Sequence, residues 1–91
     1  MLQLFYTYIN STVLTKEQQH QMTKKLGTFL RHERMQKGIS IAKIAEDLSL
    51  NPSTIVSIEE GAHKTSFVTI YMITNYLSIN LTTVMVAIKA H

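Results

Sequence analysis

The apolar residues of this chain recur with helical spacing over most of its length. In the first such stretch they stand at i, i+4, i+7 and i+8, which places them on one side of a helix. Thr15 and Gln18 have the spacing of a capping box, and Gly38 is of the type that ends helices. The pattern predicts a helix from about Lys16 to Lys37. Its predicted buried face comprises Met22, Leu26, Phe29, Leu30 and, continuing the stripe, Arg34.

Four shorter helices are predicted after the first. Pro52 is favoured at the first position of a helix, and Gly61 is expected to end that helix. The helix before it is predicted from Ile41 to Ser49. The expected N-cap residues are Ser40, Asn51, Thr65 or Ser66, and Asn80. The predicted buried positions are Ile41, Ile44, Ala45, Leu48, Ile55, Ile58, Phe67, Ile70, Ile73, Leu77, Leu81, Val84, Met85 and Ile88. Five helices with short connections predict an all-α bundle.

The N-terminal residues have a different composition. Leu2, Leu4, Tyr6 and Tyr8 share one parity, and the stretch is rich in residues that favour a β-strand. No second strand is predicted to pair with it. We therefore expect a short β-strand arm that pairs with a second subunit, a frayed arm, or a helical arm. The chain divides into this arm, residues 1–14, and a domain over residues 15–91.

Charge is unevenly distributed along the 91 residues. Of the fifteen full charges, which sum to +3, fourteen lie between Lys16 and Lys64. The two ends are apolar, so they are candidates for burial against the middle of the chain or against a second copy. The length fits one domain.

Several classes of chemistry are disfavoured by the residues present. The chain has no cysteine, which removes disulfides, thiolate metal sites and a cysteine nucleophile. His20, His32, His63 and His91 show no ligand spacing, so neither metal nor cofactor is expected. No nucleophile elbow occurs, and we expect no enzyme. The apolar run at 84–88 is too short to span a bilayer, and the N-terminus lacks a basic targeting region, so a soluble cytoplasmic protein is expected.

Two short helices joined by a tight turn form a helix-turn-helix pattern over residues 41–60. Ala45 is small where the two helices cross, and Glu59 followed by Gly61 closes the second helix. The apolar residues expected to pack between the two helices and fix their crossing angle are Leu48, Leu50, Ile55 and Ile58. With these features the segment resembles the Xre/Cro type of the lambda-repressor-like family. The resemblance extends over about residues 23–86 and implies a five-helix bundle.

The resemblance also implies a structural ion pair and shows two departures. In that family an Arg of the first helix pairs with the Glu that ends the recognition helix, which here implies an Arg34–Glu59 pair. Ser49 stands where the family prefers Gly, so a serine is expected to adopt positive φ. Ile41 stands where many members have a Gln that helps to hold a phosphate, so that contact must come from elsewhere.

The same resemblance implies which residues meet DNA. The N-terminal part of the third helix enters the major groove in this geometry. The implied base-contacting residues are Pro52, Ser53, Thr54, Val56 and Ser57. The implied phosphate-contacting residues are Ser40, Lys43, Asn51, His63 and Lys64, although the two lysines are equally consistent with solvated surface charges. The third helix holds Glu59 and Glu60 and no cation, so readout is expected to lean on apolar contacts and DNA shape.

Few phosphate contacts per subunit favour a dimer. The predicted interface residues are Leu4, Tyr6, Tyr71, Tyr76 and Val86, the alternative for the last three being that they complete the monomer core. We therefore predict a homodimeric, sequence-specific transcriptional regulator, preferentially a repressor, on a palindromic operator in double-stranded DNA. A phage, plasmid or other mobile-element circuit would suit it. The alternative is an antitoxin or protein-interaction module that uses the same fold to bind a partner such as a toxin.

Overall fold

The computed structural model of the protein describes residues 15–62 and 65–89. Within these ranges the chain forms helices and no strand. The helices are α1 (Lys16–Gln36), α2 (Ile41–Leu48), α3 (Pro52–Glu59), α4 (Phe67–Tyr76) and α5 (Leu81–Lys89). The prediction of a five-helix all-α bundle is confirmed. The arm predicted for residues 1–14 lies outside the described residues.

Local capping signals set the starts of the helices. The Thr15 hydroxyl accepts a hydrogen bond from the Gln18 amide at 3.0 Å, and the Gln18 side chain accepts one from the Thr15 amide at 2.9 Å. Of the two candidates before α4, Ser66 is the N-cap. The other predicted caps also accept backbone hydrogen bonds from the first turns of their helices: Ser40, Asn51 and Asn80. α1 and α2 each end one residue earlier than predicted, at Gln36 and Leu48.

The buried core lies where the helices meet. α1 packs against α3 and α5, while α2 packs against α3 and α4. α3 is therefore packed against two helices, α1 and α2. The core residues are Leu30, Ile44, Ala45, Ile55, Ile58, Ile70, Ile73 and Leu77, and Val84 of α5 is buried as well.

Three residues predicted to be buried are exposed instead. Phe67 is 67% exposed, Met85 48% and Leu81 36%. Phe67 is the first residue of α4, and its ring stacks on that of Tyr71 along the outside of the helix, with 6.5 Å between ring centroids. Leu81 likewise opens α5, where the first turn has little of the bundle beside it. The helical spacing places these side chains on the expected sides of their helices, but the neighbouring helices do not extend far enough to cover them.

The length and hydropathy of the helices bear on a membrane location. Among the described residues no single helix is long and apolar enough to cross a membrane. α4 and α5 reach the required length and hydropathy only when taken together, and they are bent by 111° relative to each other.

Candidate nucleic-acid interface

The turn between α2 and α3 is short and closed by backbone hydrogen bonds. Ser49 adopts the left-handed conformation, with φ 56° and ψ 41°, as expected for a position where glycine is favoured. That conformation costs a serine roughly 1 kcal/mol. It is offset by a hydrogen bond from the Leu50 amide to the Ala45 carbonyl at 2.8 Å, and by packing of Leu50 against the core. The two helices are therefore held at a fixed crossing.

Arg34 joins three segments of the bundle. Its Nε and Nη2 donate to the two carboxylate oxygens of Glu59, at 2.7 and 3.0 Å, and its Nη1 donates to the Ile39 carbonyl at 2.7 Å. The side chains are only 10% and 8% exposed. The pKa of Arg34 is raised, chiefly by the hydrogen bond to Glu59. The expected ion pair is thus present and ties the C-terminal end of α3 to α1 and to the loop before α2.

Gly27 lets α1 approach the end of α3 more closely than any other residue type would. A Cβ atom at this position would lie 2.3 Å from the Ile58 carbonyl oxygen and 2.7 Å from that of Glu59. One turn earlier, the Thr23 hydroxyl donates to the Gly61 carbonyl at 3.1 Å. The sequence offered one signal for this contact, a glycine in mid-helix, which is unfavourable unless packing requires it.

The side of α3 that faces away from α1 presents small, uncharged side chains. Asn51 caps the helix, and its Oδ1 accepts hydrogen bonds from the Ser53 amide and the Ser53 hydroxyl, at 3.0 and 2.9 Å. Thr54 is half-buried. The other residues implied to contact bases are exposed, namely Pro52, Ser53, Val56 and Ser57. The five candidates therefore lie on or beside one accessible face.

A cleft lined with hydroxyl groups runs between α3 and the start of α4. Its volume is about 390 Å³. Its hydroxyl side chains are Ser53, Thr54, Ser57, Thr65, Ser66 and Thr69. The last three were not predicted as site residues, although the capping signal at Ser66 was visible in the sequence. Hydroxyl groups both donate and accept hydrogen bonds, which suits them to base edges and to phosphate oxygens.

Three of the five phosphate candidates are engaged within the protein: Ser40 and Asn51 as the predicted helix caps, and Lys43 in an ion pair that was not predicted. The Ser40 hydroxyl accepts from the Lys43 amide at 3.0 Å, and the Lys43 ammonium lies 3.2 Å from Asp47 Oδ1. The other oxygen of Asp47 accepts a hydrogen bond from the Tyr76 hydroxyl. This bond, and then the contact with Lys43, lowers the pKa of Asp47. His63 and Lys64 lie outside the described residues.

The charges separate between the helices. Residues 40–62 contain one lysine against four acidic residues, whereas α1 contains five lysines and arginines against two acidic residues. In residues 15–62 and 65–89, no group of three histidine or acidic side chains is placed to hold a metal ion. Residues 40–62, the helix-turn-helix unit, are therefore acidic, and most of the cations of the described residues lie on α1.

The residues predicted for a dimer interface differ in how far they are exposed to solvent. Tyr71 and Val86 are 52% and 62% exposed. Phe67 and Val68 lie beside Tyr71 and are exposed as well. Tyr76 is half-buried against the core and is bonded to α2, which fits the alternative that it completes the monomer. Leu4 and Tyr6 lie outside the described residues.

Comparisons with known proteins agree with this geometry. A family model described as a helix-turn-helix domain matches residues 27–87, which is more than half of the chain. A comparison with curated proteins gave no match. Domains of this kind bind DNA and are typically not enzymes. The match begins at Gly27, where α1 meets α3, and ends within α5, so it includes both helices of the helix-turn-helix, α2 and α3. The chain belongs to the Xre/Cro-like helix-turn-helix family of DNA-binding domains.

Proposed function

We propose that this protein is a sequence-specific transcriptional regulator, preferentially a repressor, that binds a palindromic operator as a homodimer. The observation that carries the proposal is the rigid attachment of α3. The Arg34–Glu59 pair and the Gly27 contact fix its C-terminal end, while its N-terminal face stays accessible. In helix-turn-helix proteins this part of the second helix lies in the major groove and contacts base edges.

The readout we propose relies on hydroxyl and apolar groups. Ser53, Thr54 and Ser57 supply hydroxyls, which discriminate poorly one by one, while Pro52 and Val56 are suited to a thymine methyl group. The exposed face of α3 holds no arginine, lysine or glutamine. Base discrimination should then depend on combined weak contacts and on the deformability of the DNA.

The proposed phosphate contacts come from the edges of the unit. They are made by Ser40, Lys43, Asn51, His63 and Lys64, supported by the hydroxyl groups of the cleft beside α4. Each cationic contact to a phosphate adds roughly 0.9 to the slope of log affinity against log salt. With so few cations in residues 40–62, a single subunit should bind weakly, and a two-fold operator would double the contacts.

Removing the three hydroxyl groups of α3 tests the proposed readout. The triple variant Ser53→Ala/Thr54→Ala/Ser57→Ala should lose at least about 10-fold in affinity for the operator, because three hydrogen bonds are worth on the order of 0.5–1.5 kcal/mol each. The operator would first be obtained by selection from random DNA, and affinity measured by fluorescence anisotropy. Failure of the selection to enrich any sequence would count against the proposal.

A matched control keeps the interpretation clear. The variant Thr28→Ala removes an exposed hydroxyl from α1, away from the proposed DNA contact and from the helices proposed to form the dimer. It should bind the operator as the unaltered protein does. Both variants should give the same circular dichroism spectrum, since none of these residues is in the core.

The homodimer is proposed to form through exposed apolar side chains of α4 and α5, including Tyr71 and Val86, with Leu4 and Tyr6 of the N-terminal residues adding to it. Val86→Glu should shift the protein to monomer in sedimentation velocity, because a carboxylate would be buried without a partner. Met35→Glu, which changes another exposed apolar residue on α1, should leave the dimer intact. A dimer that survives Val86→Glu would exclude this surface.

A second candidate function is that of an antitoxin or protein-interaction module. The acidic helix-turn-helix unit and the exposed apolar residues of α4 favour it. The triple alanine variant of α3 separates the two functions, because it should abolish operator binding and leave a protein partner bound. Stable co-purification of a small toxin by a protein that selects no DNA sequence would favour the second candidate.

A further inference from the structure

Lys43 is the one lysine or arginine in residues 40–62, and its ammonium group is already engaged. It lies 3.2 Å from Asp47 Oδ1, one turn further along α2. Asp47 is in turn held from α4, since its second oxygen accepts the hydrogen bond from Tyr76. Both carboxylate oxygens are therefore in use, and the carboxylate is fixed by two helices rather than one.

We propose that Asp47 restrains Lys43 and thereby limits the affinity of the helix-turn-helix unit for DNA, without itself contacting DNA. Asp47 acts as a positioning residue for Lys43. This inference rests on the proposed function, because it requires Lys43 to meet a phosphate when DNA is bound.

The restraint follows from the competition for one ammonium group. Lys43 stands in the first turn of α2, and its side chain is 60% exposed, so it is accessible to a phosphate. A phosphate that approaches Lys43 must either displace the Asp47 carboxylate or bind next to it. In the first case Lys43 exchanges one anion for another, and in the second the two anions repel each other. Either way Lys43 contributes less to binding than an unpaired lysine would.

Tyr76 makes the restraint persistent. Without it, Asp47 would be a surface carboxylate at i+4 from a lysine, which exchanges readily with solvent. The Tyr76 hydroxyl opposes rotation of the carboxylate away from its place. These contacts lower the pKa of Asp47, which favours the charged form of the carboxylate. An anion is thus kept beside the one lysine of residues 40–62 whenever the protein is folded.

The test is a set of charge variants of the full chain. Asp47→Asn keeps the shape of the side chain and a hydrogen-bond partner for Tyr76, while it releases Lys43. It should raise affinity about two- to five-fold, the range expected for an exposed ion pair, on both operator and random DNA. The salt slope should steepen by up to about 0.9. Adding Lys43→Gln to Asp47→Asn should remove the gain.

Glu46→Gln is the matched control. It removes the same charge from the neighbouring residue of α2, whose carboxylate forms no ion pair with Lys43. It reports the general effect of a less acidic helix. We expect Asp47→Asn to exceed it, and to exceed it only while Lys43 is present. Affinities would be measured by anisotropy over a series of salt concentrations.

Several results would overturn the proposal. Asp47→Asn and Glu46→Gln giving equal gains, or a gain from Asp47→Asn that persists with Lys43→Gln, would indicate a general charge effect. A loss of affinity in Asp47→Asn would also contradict it. Should that variant fold poorly, the single variant Lys43→Gln decides. We expect it to reduce the slope of log affinity against log salt by clearly less than about 0.9, and a reduction of the full 0.9 would refute the restraint. If the unaltered protein selects no operator, the proposed function fails instead.

Discussion

Gly27→Ala is expected to destabilise the bundle by about 2 kcal/mol or more, although alanine is normally the better helix former. The added Cβ would stand 2.3 Å from the Ile58 carbonyl oxygen and within 2.9 Å of two backbone atoms of Glu59. Backbone atoms have no rotamer to move to, so α1 and α3 must separate. Such overpacking against backbone costs about 3 kcal/mol or more, the upper end of the usual range, and outweighs a gain in helix propensity of about 1 kcal/mol. Urea unfolding would measure the difference.

The same substitution should weaken operator binding by more than the loss of folded protein explains. The contact at Gly27 sets the position of the C-terminal end of α3, and α3 carries the proposed base contacts. Thr28→Ala is the control, since it makes a similar change at the next, exposed position of α1. It should leave stability within about 0.5 kcal/mol. If Gly27→Ala proved as stable as the unaltered protein, the close approach of α1 to α3 would be wrong.

What could be predicted from the sequence is mostly what is decided locally. N-caps are chosen by a side chain and an amide two or three residues away, and so the starts of the helices at Thr15, Ser40 and Asn51 followed from the residues alone. The strained Ser49 was predictable because a known family has glycine there. Ser78, after α4, also has a positive φ, 58°, and no local residue signalled it.

Contacts between distant segments were predicted only where the family resemblance supplied them. The Arg34–Glu59 pair came from that resemblance. The bond between Tyr76 and Asp47 joins residues 29 positions apart and depends on how α4 packs against α2, which no pattern in the sequence determines. The exposure of Phe67 was missed for a related reason. Helical spacing gives the direction of a side chain but not how far the neighbouring helix extends.

Arg34→Met is expected to destabilise the protein by about 3 kcal/mol, which is a large part of the stability of a small domain. The substitution leaves Glu59, 8% exposed, without its cation, and leaves the Ile39 carbonyl without its donor. The methionine fills most of the space, so the loss measures unpaired polar groups rather than a cavity. It would be determined by urea unfolding. α3 would lose its ion pair with α1, so operator binding should fall as well.

The double variant Arg34→Met/Glu59→Met should be more stable than the sum of the two single losses implies, because no charge is left buried without a partner. Arg31→Met, an exposed position one turn earlier on α1, is the control and should change stability by less than about 0.5 kcal/mol. Two single losses that simply add would mean that the pair contributes nothing as a pair. A double variant that is stable yet binds the operator poorly would show that the ion pair serves mainly to orient α3.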